Sequence, residues 1–162
     1  MLGGAVVVSA FSLESFQLVK KPAEGATQVA AALTSDRYIR SPVLVSSPSA
    51  SGEGAIIAET AMRSPVPTRR IIRASKLLAA ADWDARGYRS LTQNPGEVLR
   101  FLSDAGIKLV VWQRPSATGH ITQHHLQVAE TLRRYPEQFD KIIRAEGVNT
   151  FDLYEIVGPA QH

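Results

Sequence analysis

VLVSSPSASGEGAIIAETAMRSPVPTRRIIRASKLLAAADWD, residues 43–84, is the stretch that decides the fold. It begins with a short apolar run of strand type (residues 43–47) and continues through a loop rich in glycine and serine (residues 48–54, the glycine loop). A segment with helical spacing follows (residues 55–63), and then a second β-branched run (residues 68–75). Strand, loop, helix and strand in this order are typical of α/β proteins, whose binding sites form at the carboxyl ends of parallel strands.

The sequence on both sides continues this alternation. A helical pattern over residues 28–38 precedes the stretch, and a helix, a strand and a further helix are predicted over residues 95–106, 107–114 and 118–139. Two extended runs, FDKIIRA and FDLYEIV, close the chain and suit an antiparallel hairpin. We therefore expect a three-layer α/β fold with a mainly parallel central sheet, helices on both faces and a carboxyl-terminal antiparallel hairpin. The helix of residues 55–63 is expected to turn four apolar side chains toward the sheet: Ile56, Ile57, Ala61 and Met62.

The amino terminus has a different character. MLGGAVVVSAF is apolar throughout, but it is too short to span a bilayer, which needs about 20 apolar residues. It also lacks the basic start of a signal peptide. The remaining interpretations are the stub of a longer membrane helix, a buried strand and a hydrophobic tail. We predict that residues 1–21 are an apolar segment and linker and that residues 22–162 form a single α/β domain.

Composition narrows the classes of function. A chain of 162 residues with 44% hydrophobic content has room for one core. The 18 basic residues nearly balance the 15 acidic ones and are not interleaved with aromatic residues, so no nucleic-acid partner is expected. The absence of cysteine excludes a disulfide scaffold, a thiolate zinc site and a cysteine nucleophile.

The glycine loop is the first candidate ligand site. Its candidate residues are Ser47, Ser51, Gly52, Glu53 and Gly54, because glycines allow close backbone approach and free amides at a helix start attract anions such as phosphate. The spacing matches neither a dinucleotide-binding fingerprint nor a P-loop. A plain turn followed by a helix cap, with Glu53 favoured by the helix dipole, explains the same residues.

The second candidate lies just after the second strand. Lys76, Asp82 and Trp83 could line a pocket there, in which Asp82 and Asp84 beside an indole would serve acid–base chemistry or bind a sugar. Alternatively, Trp83 anchors the loop on the core and Asp82 caps a turn. An Asp-Trp-Asp sequence by itself specifies no reaction.

The histidines and serines suggest a metal site or a catalytic serine, but the sequence supplies neither site in full. His120 and His124 are four residues apart and could share a metal, but the helix supplies neither a catalytic glutamate nor an obvious third ligand. We therefore expect a polar helix start with solvent-facing imidazoles, including that of His125. No nucleophile elbow occurs, and Ser46 or Ser47 would need a base from a distant part of the chain. We assign no catalytic residue, cofactor or metal.

Taken together, the blocks resemble a known family. VLVSSPSASGEGAIIAETAMR, IIRASKLLAAADWDARGYRSL, NPGEVLRFL, IKLVVWQR and HHLQVAETLRRYPEQF are similar to the soluble carboxyl-terminal domain of bacterial membrane glycosyltransferases related to the dolichyl-phosphate-mannose protein mannosyltransferases. The resemblance covers roughly residues 40–157. Its most specific pieces are SGEGAIIAETAMR and RASKLLAAADW.

The resemblance implies a domain appended to an enzyme. In this family many membrane helices come first, and the acidic catalytic residues lie in the first extracytoplasmic loop, so no catalytic residue carries over to this chain. The domain would lie on the periplasmic side over the membrane active site, with the membrane-embedded portion of the same enzyme as its partner. It would hold a sugar or polyprenyl-phosphate-sugar acceptor or pack on the membrane portion, and MLGGAVVVSAF would be the stub of the last membrane helix.

Two other hypotheses stay open. A free-standing α/β module, cytoplasmic if the chain is complete, would bind phosphate or a sugar phosphate at Gly52 and Gly54. A histidine-dependent metallohydrolase would retain a metal at His120 and His124.

Overall fold

The computed structural model describes residues 24–64, 70–80, 87–116 and 121–158. In chain order the elements are α1 (Glu24–Leu33), β1 (Val43–Ser46), α2 (Ala50–Arg63), β2 (Ile71–Arg73), α3 (Ala74–Leu77), β3 (Ala79–Ala80), β4 (Arg89–Ser90), α4 (Pro95–Asp104), β5 (Leu109–Gln113), α5 (Gln123–Arg134), β6 (Phe139–Ala145) and β7 (Phe151–Ile156). A single 3₁₀ turn, Pro136–Gln138, lies between α5 and β6. The predicted segment of residues 1–21 lies outside the described residues.

The main sheet has the strand order β2-β1-β5-β7-β6. β1 lies between β2 and β5 and runs parallel to both. β7 pairs antiparallel with β5 and with β6, and the hairpin of β6 and β7 carries a register shift between Lys141 and Ile143. The predicted α/β class, with a parallel core and a carboxyl-terminal antiparallel pair, is confirmed.

Helices cover both faces of this sheet. On one face α1 and α2 pack on alternate strand residues such as Val45, Val111 and Leu153. On the other face α3, α4 and α5 pack on the intervening residues, such as Leu44 and Val110. Every residue of β1 is buried, as expected for a strand with neighbours on both sides and helices above and below.

Local sequence explains where the helices begin and end. Ser49 caps α2 by accepting a hydrogen bond from the Gly52 amide. Asn94 caps α4 in the same way, immediately before a proline in the first turn, and Gly106 follows that helix with a φ of 64°. The predicted start and end of α4 are therefore confirmed.

One predicted helix face was partly wrong. Ile56 of α2 is fully buried against the sheet and Ile57 is half-buried, but Ala61 is exposed and Met62 is 73% exposed. Met62 follows Ile56 by six residues, which places it about 120° away around the helix. Thr60 lies four residues after Ile56 and takes the buried position, where its hydroxyl donates to the Ile56 carbonyl.

Within the described residues, no helix combines the length and the hydropathy that crossing a membrane requires.

Candidate functional site

The chain leaves β1 and β5 toward opposite faces of the sheet. β1 leads into α2 on one face, and β5 leads toward α5 on the other. Two neighbouring parallel strands whose connections diverge in this way leave a crevice at their carboxyl ends, which is the usual ligand position in open α/β sheets. Ser46, Ser47, Trp112 and Gln113 lie at or just after the carboxyl ends of these two strands.

A row of polar and aromatic side chains crosses the sheet at this end. Ser46 pairs with Trp112, Trp112 with Asp152, and Asp152 with Arg144. Directly opposite residues on adjacent strands point to the same face of the sheet. Trp112 packs against the core cluster on the face that α4 and α5 cover, so the other residues of the row point to that face as well. We call Ser46, Trp112, Asp152 and Arg144 the strand-end row.

Ser46 is bonded to a histidine of α5. Its Oγ lies 2.8 Å from Nδ1 of His125, and both residues are fully buried. The indole of Trp112 stacks on the same imidazole, with ring centroids 5.6 Å apart and an interplanar angle of 11°. Burial and, to a smaller extent, the nearby His124 lower the pKa of His125 to about 4, against the opposite effect of a backbone contact with Gln113. His125 is therefore neutral near pH 7.

A neutral imidazole beside a serine hydroxyl resembles a catalytic Ser-His dyad, but the surroundings of this pair are not those of an active site. Ser46 has no exposed surface through which a substrate could reach it. In the described part of the chain, Nε2 of His125 has no hydrogen-bond partner, whereas a general-base histidine is normally oriented by a carboxylate. The geometry is that of a buried polar contact joining β1 to α5.

Glu53 forms a second buried network. Its carboxylate accepts hydrogen bonds from Arg73 Nε at 2.9 Å, from the Ser75 hydroxyl at 2.6 Å and from the Ser75 amide at 3.1 Å. His124 Nε2 lies 3.9 Å from the same carboxylate, and Tyr88 lies 3.0 Å from the other ring nitrogen. Burial lowers the pKa of His124, with Glu53 opposing this effect. The network ties α2 to the β2–α3 junction and to the start of α5.

The glycine loop is held by its own side chains. The Ser47 hydroxyl donates to Gln113 Oε1 at 2.7 Å, and the Gln113 amide donates to Asn149 at 3.1 Å. A Cβ on Gly52 would collide with the Ser47 and Gln113 side chains, whereas Gly54 has open space around it. Gly52 is thus required for close packing inside the protein. The prediction of a loop up to residue 54 was wrong, because Ser49 caps α2 and residues 50–54 are the beginning of that helix. This agrees with the simpler interpretation, a turn followed by a helix cap.

The structure brings most of the predicted ligand-site residues to one end of the sheet. Ser47, Ser51, Gly52, Glu53 and Gly54 lie at or just after the carboxyl end of β1. Ser51 is exposed, but Glu53 is fully buried and bonded to Arg73 and Ser75.

The remaining predicted residues fall into two groups. Lys76 is exposed on α3, beyond the end of β2. The other four lie outside the described residues: Asp82, Trp83, Asp84 and His120.

The expectation of solvent-facing imidazoles was wrong for the two described histidines. His124 is 3% exposed and His125 has no exposed surface, because the first turn of α5 packs over the end of the sheet. Within the same described ranges, no three His, Cys, Asp or Glu side chains are grouped so that they could hold a metal ion.

Sequence reasoning missed the strand-end row. Ser46 and His125 are separated by 79 positions, so no local motif could join them. Asp152 had a detectable signal: it is a charged residue in FDLYEI, a strand with a neighbour on each side, and burial in such a strand requires a partner.

Comparisons with protein-family models, curated proteins and solved structures found no match to this chain. The resemblance to the glycosyltransferase domain therefore stays a prediction.

Proposed function

We propose that this chain is the non-catalytic soluble domain of a polyprenyl-phosphate-sugar-dependent membrane glycosyltransferase, lying on the extracytoplasmic side over the membrane active site. One observation carries the proposal. SGEGAIIAETAMR and RASKLLAAADW, the most specific blocks of the resemblance, meet at the Glu53 carboxylate through Arg73 and Ser75. The two blocks that carry the resemblance are therefore in direct contact in the fold, through one buried ion pair.

The strand-end geometry favours binding or packing over catalysis. Ser46 and His125 are fully buried, and the carboxylates of Glu53 and Asp152 are each engaged by cations and hydroxyl groups of the protein itself. A catalytic group must reach its substrate within hydrogen-bonding distance. We therefore assign this end of the sheet to holding the acceptor or to packing on the membrane-embedded portion of the same enzyme.

The experiment compares two activities of the whole transferase. The membrane enzyme is assayed with a polyprenyl-phosphate sugar, once for sugar transfer to its acceptor and once for donor hydrolysis by water, with and without residues 24–158. An acceptor-holding domain predicts that its removal abolishes transfer and spares hydrolysis. Loss of both activities would assign the domain to packing on the membrane portion, and retention of full transfer would refute either role.

The alternative, a free-standing module that binds phosphate or a sugar phosphate at the glycine loop, has less geometric support. The Gly52 amide is already bonded to the Ser49 hydroxyl, and the space beside its α-carbon is filled by Ser47 and Gln113. The alternative requires that Gly54→Ala, which meets open space, weakens phosphate binding in calorimetry. Unchanged binding in that variant would count against it.

A further inference from the structure

Asp152 is a fully buried carboxylate surrounded by cations. Arg114 donates to Oδ2 from Nε at 3.1 Å and from Nη2 at 2.9 Å, and Arg144 donates to Oδ1 from Nε at 3.1 Å. The ammonium of Lys141 lies 3.7 Å from Oδ2. We call Arg114, Lys141 and Arg144 the cation cluster.

The cluster has more positive charge than Asp152 can balance. Three cations around one carboxylate leave a formal excess of two positive charges. The neighbouring phenol of Tyr154 stays neutral and does not offset this excess, because burial and, after it, the charge of Asp152 raise the pKa of Tyr154 to about 12. On α5, Arg133 lines the adjacent cavity and is paired with Glu130 at 2.6 Å. The excess is therefore confined to the cluster.

The same cations keep donors available to solvent. The side chains of Arg114 and Lys141 are each 40% exposed, and that of Arg144 is 44% exposed. Arg144 uses only Nε on Asp152, so within the described residues both of its terminal nitrogens lack a protein acceptor. Asp152 holds the two guanidinium groups in place from beneath, and this lowers the entropy cost of binding an anion.

Aromatic rings extend the surface beside the cluster. Arg114 lies over the Trp112 ring at 5.9 Å, and Lys141 lies over the Tyr154 ring at 5.3 Å. Both rings line a cavity of about 190 Å³ between the sheet and α5. Trp112 Nε1 is a buried donor with no partner in the described part of the chain. The surface thus combines a cationic rim with an aromatic wall.

We propose that the cation cluster binds a phosphate group. A phosphomonoester carries about −1.5 to −2 charges near neutral pH, which matches the excess, and guanidinium groups bind its oxygens through paired donors. The group would come from a free phosphate or phosphorylated sugar, or from the headgroup of an anionic lipid. The inference does not depend on the proposed function, since the cluster has the same charge whichever protein the domain serves.

The test uses the purified chain and two probes. Calorimetry measures binding of inorganic phosphate, and co-sedimentation measures binding to phosphatidylcholine vesicles with and without phosphatidic acid, whose headgroup is a phosphomonoester. The variants are Lys141→Ala, which removes a charge without breaking a hydrogen bond to Asp152, and Arg144→Gln. Arg63→Gln on α2 is the matched control, because it removes a cation that is 43% exposed on the opposite face of the sheet. Far-ultraviolet circular dichroism checks the fold of each variant.

The inference predicts about tenfold weaker binding for each cluster variant and no change for the control, because a hydrogen bond or ion pair to a charged group contributes roughly that much. Phosphate binding that falls in this way supports a free phosphate as the source. Binding confined to the phosphatidic acid vesicles, and lost in the variants, supports a lipid headgroup. Absence of binding to both probes, or binding unchanged in a folded Lys141→Ala chain, overturns the inference.

Discussion

Removing the Glu53 carboxylate is expected to destabilise the domain strongly. The group has no exposed surface and accepts three hydrogen bonds from Arg73 and Ser75. Breaking a buried ion pair from one side costs about 3–5 kcal/mol. Arg73 is 33% exposed and also donates to the Ala50 carbonyl, so water and that contact recover part of the loss. We therefore expect Glu53→Ala to cost about 3 kcal/mol, at the low end of this range.

The assay is urea unfolding followed by circular dichroism, with the transition midpoint and slope measured separately. Glu53→Gln keeps the side-chain shape and one acceptor oxygen, so it should cost about 1.5–2 kcal/mol and stays informative if the alanine variant does not fold. Glu130→Gln is the matched control, because Glu130 forms an exposed pair with Arg133 and its loss should leave the midpoint unchanged. A Glu53→Ala chain within about 0.5 kcal/mol of wild type would refute the reasoning, since that is the range of ordinary surface substitutions.

Two further predictions follow from packing and from titration. Gly52→Ala should destabilise the chain by about 1–3 kcal/mol, since its Cβ would lie 2.9 Å from Ser47 Cβ, whereas Gly54→Ala meets open space and should stabilise α2 by about 0.5–1 kcal/mol. Thermal melts of the two variants that shift in the same direction would contradict this packing. His125 has a pKa of about 4 in the folded chain against 6.5 when exposed, so it binds more protons when unfolded. His125 should lower the stability by about 3 kcal/mol as the pH drops from about 6.5 to about 4, and His124, whose pKa burial also lowers, adds a change of the same sign. His125→Gln should remove its own part of the slope; an unchanged slope in urea titrations would show that another group is responsible.

The fold could be predicted from the sequence because the residues that mark the ends of its helices and strands are close together in the chain. Pro95 in the first turn marks the start of α4, Gly106 marks its end, and the apolar runs around Val45 and Val111 mark two buried strands. These signals depend on backbone preferences and on periodicity, which neighbouring residues determine.

The candidate site was harder to predict from the sequence, because its residues come from distant positions in the chain. Glu53 was correctly placed near the end of β1, but its partners on β2 and α3 could not be identified before the register of the strands was known. The histidines of α5 were expected in solvent because a polar helix start normally faces water. Their burial follows from how α5 crosses the end of the sheet, a tertiary effect with no local signal. Asp152 and Arg144 become partners only when β6 and β7 pair.

The most direct test of the central claim is the genomic sequence upstream of the Met1 codon, read in the same frame. The account predicts a series of apolar spans, the last of which ends in MLGGAVVVSAF and continues into this domain. An in-frame stop codon close upstream of Met1 would contradict the assignment to a membrane glycosyltransferase.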